Sequence, residues 1–222
     1  MAKNVLVVAA HPDDEVLGCG GTIARHVQDG DTVSVVYMAD GVTSRSDSTR
    51  DARAERQQAS VAAQNILGIS HCCSLAYSDN RLDSYPLLEL VQELEVLIRR
   101  FAPEVVYTHH AGDLNVDHRV THAAVLTACR PMPLASVREI YAFEVVSSSE
   151  WNPGAIPFVP QVFVDISGFM EKKRLALNAY AVEMRKLPHS RSIEHLEALC
   201  VHRGYSVGLP CAEAFMLLRA IK

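Results

Sequence analysis

Apolar and polar residues fall in blocks along this chain, and the spacing within each block changes from one to the next. Val5-Leu6-Val7-Val8-Ala9 is unbroken, so Asn4–Ala9 has the pattern of a strand buried on both faces. From about Glu15 to Asp29 the spacing becomes helical and stops at Gly30. Thr32–Met38 is β-branched and predicts a second strand. Ala52–Leu67 returns to helical spacing and ends at Gly68, and Cys72–Ala76 predicts a short strand. Leu87–Phe101 is a strongly amphipathic helix closed by Pro103. Glu104–Thr108 is another buried strand, and Arg119–Cys129 is helical. Later strands are expected at Glu139–Val146 and Gln161–Ile166, and later helices at Gly168–Arg185 and Ser192–His202. Asp40–Asp51 is polar without an apolar period, and Pro153–Pro160 is the other loop-like interruption.

Strands that alternate with helices predict an α/β fold, a mainly parallel, doubly wound sheet with helices on both faces. No repeat or linker divides the 222 residues, so one domain spanning residues 1–222 is expected.

Composition narrows the function. The chain is 49% hydrophobic and 21% charged, which is globular. A net charge of −5 without any Lys/Arg cluster argues against a nucleic-acid partner. No apolar run approaches the ~20 residues that span a bilayer. Met1-Ala2-Lys3-Asn4 runs straight into the first strand, which leaves no room for a signal peptide. The six cysteines, Cys19, Cys72, Cys73, Cys129, Cys200 and Cys211, form no CxxC pair. Read as buried reduced thiols, they point to a cytoplasmic protein.

The chemistry gathers in two polar knots. Ala10-His11-Pro12-Asp13-Asp14-Glu15 places a histidine and three carboxylates where the first strand ends and a helix begins. Binding sites in open α/β sheets gather at such carboxyl ends. Acidic groups there need cations or donors to match them, and a metal ion is the simplest match. His11 and Asp14, three apart across the stiff Pro12, can face one point while Asp13 projects differently. A catalytic zinc takes three protein ligands and a water, so a third ligand is needed. The second knot, from His109 to Arg119, holds His109, His110 and His118, and His118 stands where the next helix starts. His11, Asp14 and His118 with an open position make a hydrolytic zinc site, with Asp13 beside the bound water as general base. Either knot alone reads as a strand-end histidine or an acidic helix cap. A cap does not explain a second histidine-rich loop after another strand.

These residues also carry a resemblance. Ala10–Glu15 (AHPDDE) and Asn115–Arg119 (NVDHR) resemble the two signature motifs of the LmbE-like/PIG-L de-N-acetylase family. Arg53-Ala54-Glu55 with Leu67-Gly68 is similar to its R-x-E…LG helix. Phe143-Glu144-Val145 through Glu150-Trp151, and Arg203-Gly204 through Ala212-Glu213-Ala214-Phe215, resemble further segments. The resemblance implies a Rossmann-like three-layer fold. It also implies a Zn2+-dependent hydrolase, with Fe2+ as another candidate metal, that removes an acetyl group from an N-acetylglucosamine-type sugar or glycoconjugate. His11, Asp14 and His118 match the family's ligands, Asp13 its general base, and Arg53 a substrate-binding position.

One position departs from the pattern. The common second motif is H-P-D-H, and this chain has Asn115 in place of the first histidine. Asparagine can donate to an oxyanion but cannot shuttle a proton. The acid then falls to His109, His110 or protonated Asp13. Asn115 also invites the alternative of a metal-binding protein of this fold with weak or lost deacetylase activity. The expected partner is a small N-acetylated molecule. A homo-oligomer stays open, because helices such as Leu87–Phe101 could face solvent or a second copy.

Asp40–Asp51 and Ser147–Pro160 are the candidate substrate rim, with Ser147-Ser148-Ser149 bonding and Trp151 stacking on a sugar. Gly18-Cys19-Gly20-Gly21 lies inside the first helix instead of opening it, so the phosphate-cradling turn of a dinucleotide enzyme is missing. Close helix–sheet packing explains those glycines. A phosphoryl-receiver domain fits less well, since Asp113 lies deep in the histidine-rich loop.

Overall fold

A computed structural model of the chain describes residues 2–43 and 50–222. Its strands are β1 (Asn4–Ala9), β2 (Thr32–Ala39), β3 (His71–Tyr77), β4 (Val105–His109), β5 (Glu139–Phe143), β6 (Val162–Asp165) and β7 (Ala212–Ala220). Its α-helices are α1 (Asp14–Gln28), α2 (Arg50–Leu67), α3 (Leu87–Phe101), α4 (Val116–Ala128), α5 (Met170–Ala179) and α6 (Ile193–Tyr205). One sheet runs in the order β3-β2-β1-β4-β5-β7-β6. The first five strands across it pair in parallel, and only β7 runs against its neighbours β5 and β6. The sheet is therefore mainly parallel, as the alternating pattern predicts.

β1 is apolar from Val5 to Ala9 because both of its faces are covered there. Val5, Val7 and Ala9 pack with residues of α1, α2, α5 and α6, such as Val16, Ala63, Leu177 and Leu196. Leu6 and Val8 face the other way, onto Leu90, Leu94 and Val125 of α3 and α4. From β1 the chain winds outward through β2 and β3, then crosses back to β4 on the other side. The carboxyl ends of β1 and β4 thus lie side by side at the point where the winding reverses, the crevice where open α/β sheets take their ligands.

Some boundaries differ from expectation. The helix expected over Gly168–Arg185 ends at Ala179, because Tyr180 buries its ring and donates its hydroxyl to Glu15 while the chain turns. β7 was not anticipated: its Ala, Leu and Glu favour a helix alone, but the slot between β5 and β6 supplies ladder partners on both sides. Of the loop expected over Asp40–Asp51, residues 44–49 lie outside the described residues, and Arg50 and Asp51 already belong to α2. Cys19, Cys129 and Cys200 are buried, whereas Cys72, on the edge strand β3, is exposed. Among the described residues no helix is long and apolar enough to cross a membrane.

The glycines in α1 act as packing residues. A Cβ on Gly21 would sit 2.8 Å from Ile166, and one on Gly18 would strike the Phe143 ring. Between them the helix breaks at Cys19, at φ −148° and ψ 24°. A break strands backbone groups that must find other partners. Gly21 N–H and Thr22 N–H donate to the Glu213 carboxylate at 2.9 and 2.7 Å, so Glu213 caps the restarted helix from β7. Lys173 of α5 donates to the freed Leu17 carbonyl at 3.0 Å and pairs with Glu213 at 2.5 Å. Both side chains are almost fully buried. Removing one partner leaves the other charge uncompensated. Lys173→Met is expected to lower the unfolding free energy by about 3–5 kcal/mol, read from urea denaturation followed by circular dichroism. A loss under about 1 kcal/mol, the scale of an exposed pair, would show that the pair is not structural.

Candidate active site

The site begins with β1 running out at Ala9. Ala10 and His11 turn over the end of the sheet, and the chain then enters α1 through Asp13. Asp13 adopts φ 129° and ψ −29°, a region that costs any residue with a Cβ. The conformation is held from several sides. The Asp13 N–H donates to Glu15 Oε2 at 3.0 Å, and the Asp13 carbonyl accepts from Val16 and Leu17 N–H at 3.0 and 2.9 Å. Glu15, expected only to start a helix, is wholly buried and is fixed in turn by the Tyr180 hydroxyl at 3.0 Å. Burial pushes its pKa up to about 7, against the hydrogen bonds it accepts.

The predicted ligands meet. Asp14 Oδ2 lies 3.3 Å from His11 Nδ1 and 3.3 Å from His118 Nε2, and it accepts the His11 N–H at 2.9 Å. One nitrogen of each histidine and one oxygen of Asp14 fall within 4.8 Å of one another. Two imidazoles and a carboxylate, converging and buried, suit a divalent cation such as zinc. The fit has a second sign: Asp14 Oδ1 is buried and has no hydrogen-bond partner among the described residues.

Each histidine's other nitrogen meets a carboxylate. His11 Nε2 is 3.0 Å from Asp117 Oδ2 and 3.0 Å from Asp79 Oδ1. Asp117 is itself fixed by the Asn80 and Leu82 N–H groups at 2.7 and 2.9 Å. His118 Nδ1 is 3.1 Å from Asp113 Oδ2.

Asp13 faces the same space from the opposite side. Arg56 Nη2 stands 3.4 Å from Asp13 Oδ1, and Arg191 Nη1 donates to Oδ2 at 3.2 Å. Arg56 is locked by Glu183 at 2.6 Å. His11, Asp13, Arg56, Asp79, Asn115, His118, Trp151 and Arg191 are among the residues lining one cavity of about 350 Å³. A larger hollow of about 480 Å³, between the ends of α3 and α4, is lined by Met132, Leu134 and Val137 and holds none of these groups. The convergent polar groups mark the smaller one as the site.

The other expected residues are divided between the cavity and its surroundings. Arg53 is outside this cavity, its guanidinium exposed and 3.7 Å from Asp40; Arg56, one helical turn later on α2, faces the site instead. Asn115 caps α4, its Oδ1 accepting from the Asp117 N–H at 2.8 Å. His110 Nε2 bonds the Ile156 carbonyl at 2.8 Å, away from the cavity. His109 is stacked on His118 with ring centroids 3.9 Å apart, and its Nε2 accepts from the Ala10 N–H at 2.8 Å. Ser148 and Ser149 both donate to Asp113, while Trp151 stands half exposed at the rim. Arg56 could have been suspected from its three-residue spacing to Arg53, and Asp113 and Asp117 from their place in the second knot. Nothing local marks Arg191 or Asp79.

The titration states follow from burial and charge. Burial pulls His118 down, but Asp14 and Asp113 outweigh it and lift its pKa to about 9. Burial likewise lowers His11, and its bonds to Asp117, Asp14 and Asp79 carry it well above the usual imidazole value. Burial raises Asp14, but the neighbouring His118, His109 and His11 outweigh it and hold it well below the carboxylate range. His109 stays neutral, lowered by burial and then by the charge of His118. Burial raises Asp13, against the pull of Arg56 and Arg191.

The profile of the family described as PIG-L: GlcNAc-PI de-N-acetylase matches residues 6–129. The uncharacterized deacetylase YaiS of Escherichia coli (strain K12) is 32% identical over 169 residues, covering 74% of this chain and 82% of that protein. Diacetylchitobiose deacetylase of Thermococcus kodakarensis is 25% identical over 234 residues, covering 99% of this chain and 84% of that protein. Among solved structures, the 4-carboxy-2-hydroxymuconate hydratase GalB of Pseudomonas putida KT2440 has a TM-score of 0.78 at 23% identity, covering 99% of this chain and 98% of that one. At that identity the likeness concerns the fold.

The raised histidine yields a pH signature. His118 titrates near 6.5 when unfolded and near 9 when folded, so its stabilisation is complete below 6.5 and is lost as pH rises through 9. Metal-free protein should lose several degrees of melting temperature between pH 6.5 and 9. Protein loaded with Zn2+ should lose much less, because the cation replaces the proton. Differential scanning calorimetry of both forms checks this.

Proposed function

Because the chain belongs to the PIG-L (LmbE-like) de-N-acetylase family, we propose that it is a metal-dependent amide hydrolase that removes the acetyl group from an N-acetylglucosamine-type sugar or glycoconjugate. The observation that carries the reading is the meeting, in one cavity, of the Asp13 carboxylate with the His11–Asp14–His118 cluster. His11, Asp14 and His118 would hold Zn2+, or Fe2+ on the same ligands. Such a cation supplies Lewis acidity and brings the pKa of water toward neutrality.

The chain's own residues do the rest. Asp13 takes the proton of the attacking water, its carboxylate aimed by Arg56 and Arg191. The strained backbone beneath it sets that aim before substrate arrives. Asn115 commits Oδ1 to capping α4, which leaves its Nδ2 group to donate to the carbonyl oxygen as charge develops there. The same amide cannot protonate the leaving amine. His109 is stacked behind His118 and His110 is tied to Ile156, so neither reaches the cavity. Asp13 therefore returns its proton to the departing nitrogen, and its burial favours carrying that proton in the meantime. Trp151 and Leu114 present apolar surface at the rim, suited to a sugar face.

Zn2+-loaded protein incubated with a panel of N-acetylglucosamine glycosides and sugar nucleotides should release acetate and a free amine. Asp13→Ala should lower kcat by 10²–10⁴-fold, the range of a general acid–base group, with Zn2+ still bound. Near-normal turnover by Asp13→Ala would overturn the base assignment. Tight Zn2+ binding without turnover on the panel would favour a binding protein of this fold. Hydration of 4-carboxy-2-hydroxymuconate is the counter-assay.

A further inference from the structure

Two of the three serines expected at the substrate rim, Ser148 and Ser149, bond an aspartate. Asp113 lies fully buried in the turn between β4 and α4. Its Oδ1 accepts from the Asn115 N–H at 2.9 Å and from the Ser148 hydroxyl, and its Oδ2 accepts from the Ser149 hydroxyl at 2.7 Å. Ser149 Oγ itself accepts from the Val145 N–H at 2.9 Å, and the Ser148 carbonyl accepts from the Leu114 N–H at 3.2 Å. A carboxylate with three donors fixed on it is not free to wander.

What it faces is His118 Nδ1, at 3.1 Å. That nitrogen is buried, and among the described residues it makes no hydrogen bond to any other group. The ring's other nitrogen is the one turned to Asp14. An imidazole that coordinates through Nε2 must carry its proton on Nδ1, and an acceptor there fixes both tautomer and ring angle.

We propose that Asp113, clamped by Ser148 and Ser149, is the positioning residue of the metal site, holding His118 with Nε2 presented to the cation. The loop between β5 and β6 then sets metal affinity from outside the ligand shell. The inference rests on the ligand reading of His11, Asp14 and His118. It differs from a substrate role for the serines, which would alter KM and leave metal binding untouched. The loop also reaches the base, since Ser147 Oγ accepts from Arg191 Nε at 3.0 Å and Arg191 holds Asp13.

The test uses the full chain stripped with chelator and titrated with Zn2+ by calorimetry, and with Co2+ by its visible absorption. Asp113→Asn should weaken Zn2+ binding by about 10–100-fold, the range for such partners, and change the intensity of the Co2+ bands. Ser149→Ala should weaken binding in the same direction by a smaller factor, and it decides the matter if Asp113→Asn does not fold. Metal-free melting temperatures identify folded variants. Folded variants with wild-type Zn2+ affinity and Co2+ spectrum overturn the proposal alone. A wild-type chain that takes up neither ion overturns the ligand reading and the proposal with it.

Discussion

A single buried carboxylate, Asp14, organises the site and much that surrounds it. It stands at the reversal of the sheet with its side chain shielded from water, where an uncompensated negative charge would cost several kcal/mol. Three imidazoles crowd its Oδ2, from His11, His118 and His109, within 3.5 Å. Two of those imidazoles meet carboxylates on their far sides, Asp79 and Asp117 at His11 and Asp113 at His118, and Asp117 and Asp113 are held in turn by backbone and hydroxyl donors. The result is an alternation of charge spreading outward from one atom. Each layer is satisfied only because the next is in place.

Asp13 is the adjoining residue under a different constraint. Its neighbour is committed to the histidines, so its own carboxylate can face the cavity only if the backbone between them bends into a conformation rare outside glycine. Glu15, Arg56 and Arg191 hold that bend from three directions. Glycine would adopt the turn more cheaply but would have no carboxylate to present. The strain and the chemistry are one requirement.

The sheet was legible because burial on both faces leaves an unbroken apolar run, as in β1 and β4, which helical or half-buried segments do not show. The candidate ligands were legible because His11 and Asp14 follow the end of β1 and His118 stands in the first turn of the helix after β4. Arg191, Glu183 and Asp79 reach the site from distant loops through tertiary contacts that carry no local period. β7 stayed hidden because its residues follow helical propensity while its ladder comes from strands far away in sequence. Arg53 and Arg56 lie about 60° apart around α2, and only the packed fold shows that Arg56 lines the cavity while Arg53 stands exposed beside Asp40.

The break in α1 bears on how the molecule comes into being. The helix that carries Asp14 is capped at its midpoint by a residue 191–192 positions later, and Lys173 and Tyr180 brace it from the same distant half. Such contacts form late, because closing long loops opposes them until the intervening chain is ordered. During synthesis α1 therefore emerges well before Lys173, Tyr180, Arg191 and Glu213, which brace its break and its opening turn. Only when β7 arrives is the break in the helix capped. An arrested or prematurely ended chain would carry the two signature knots and still lack a competent site.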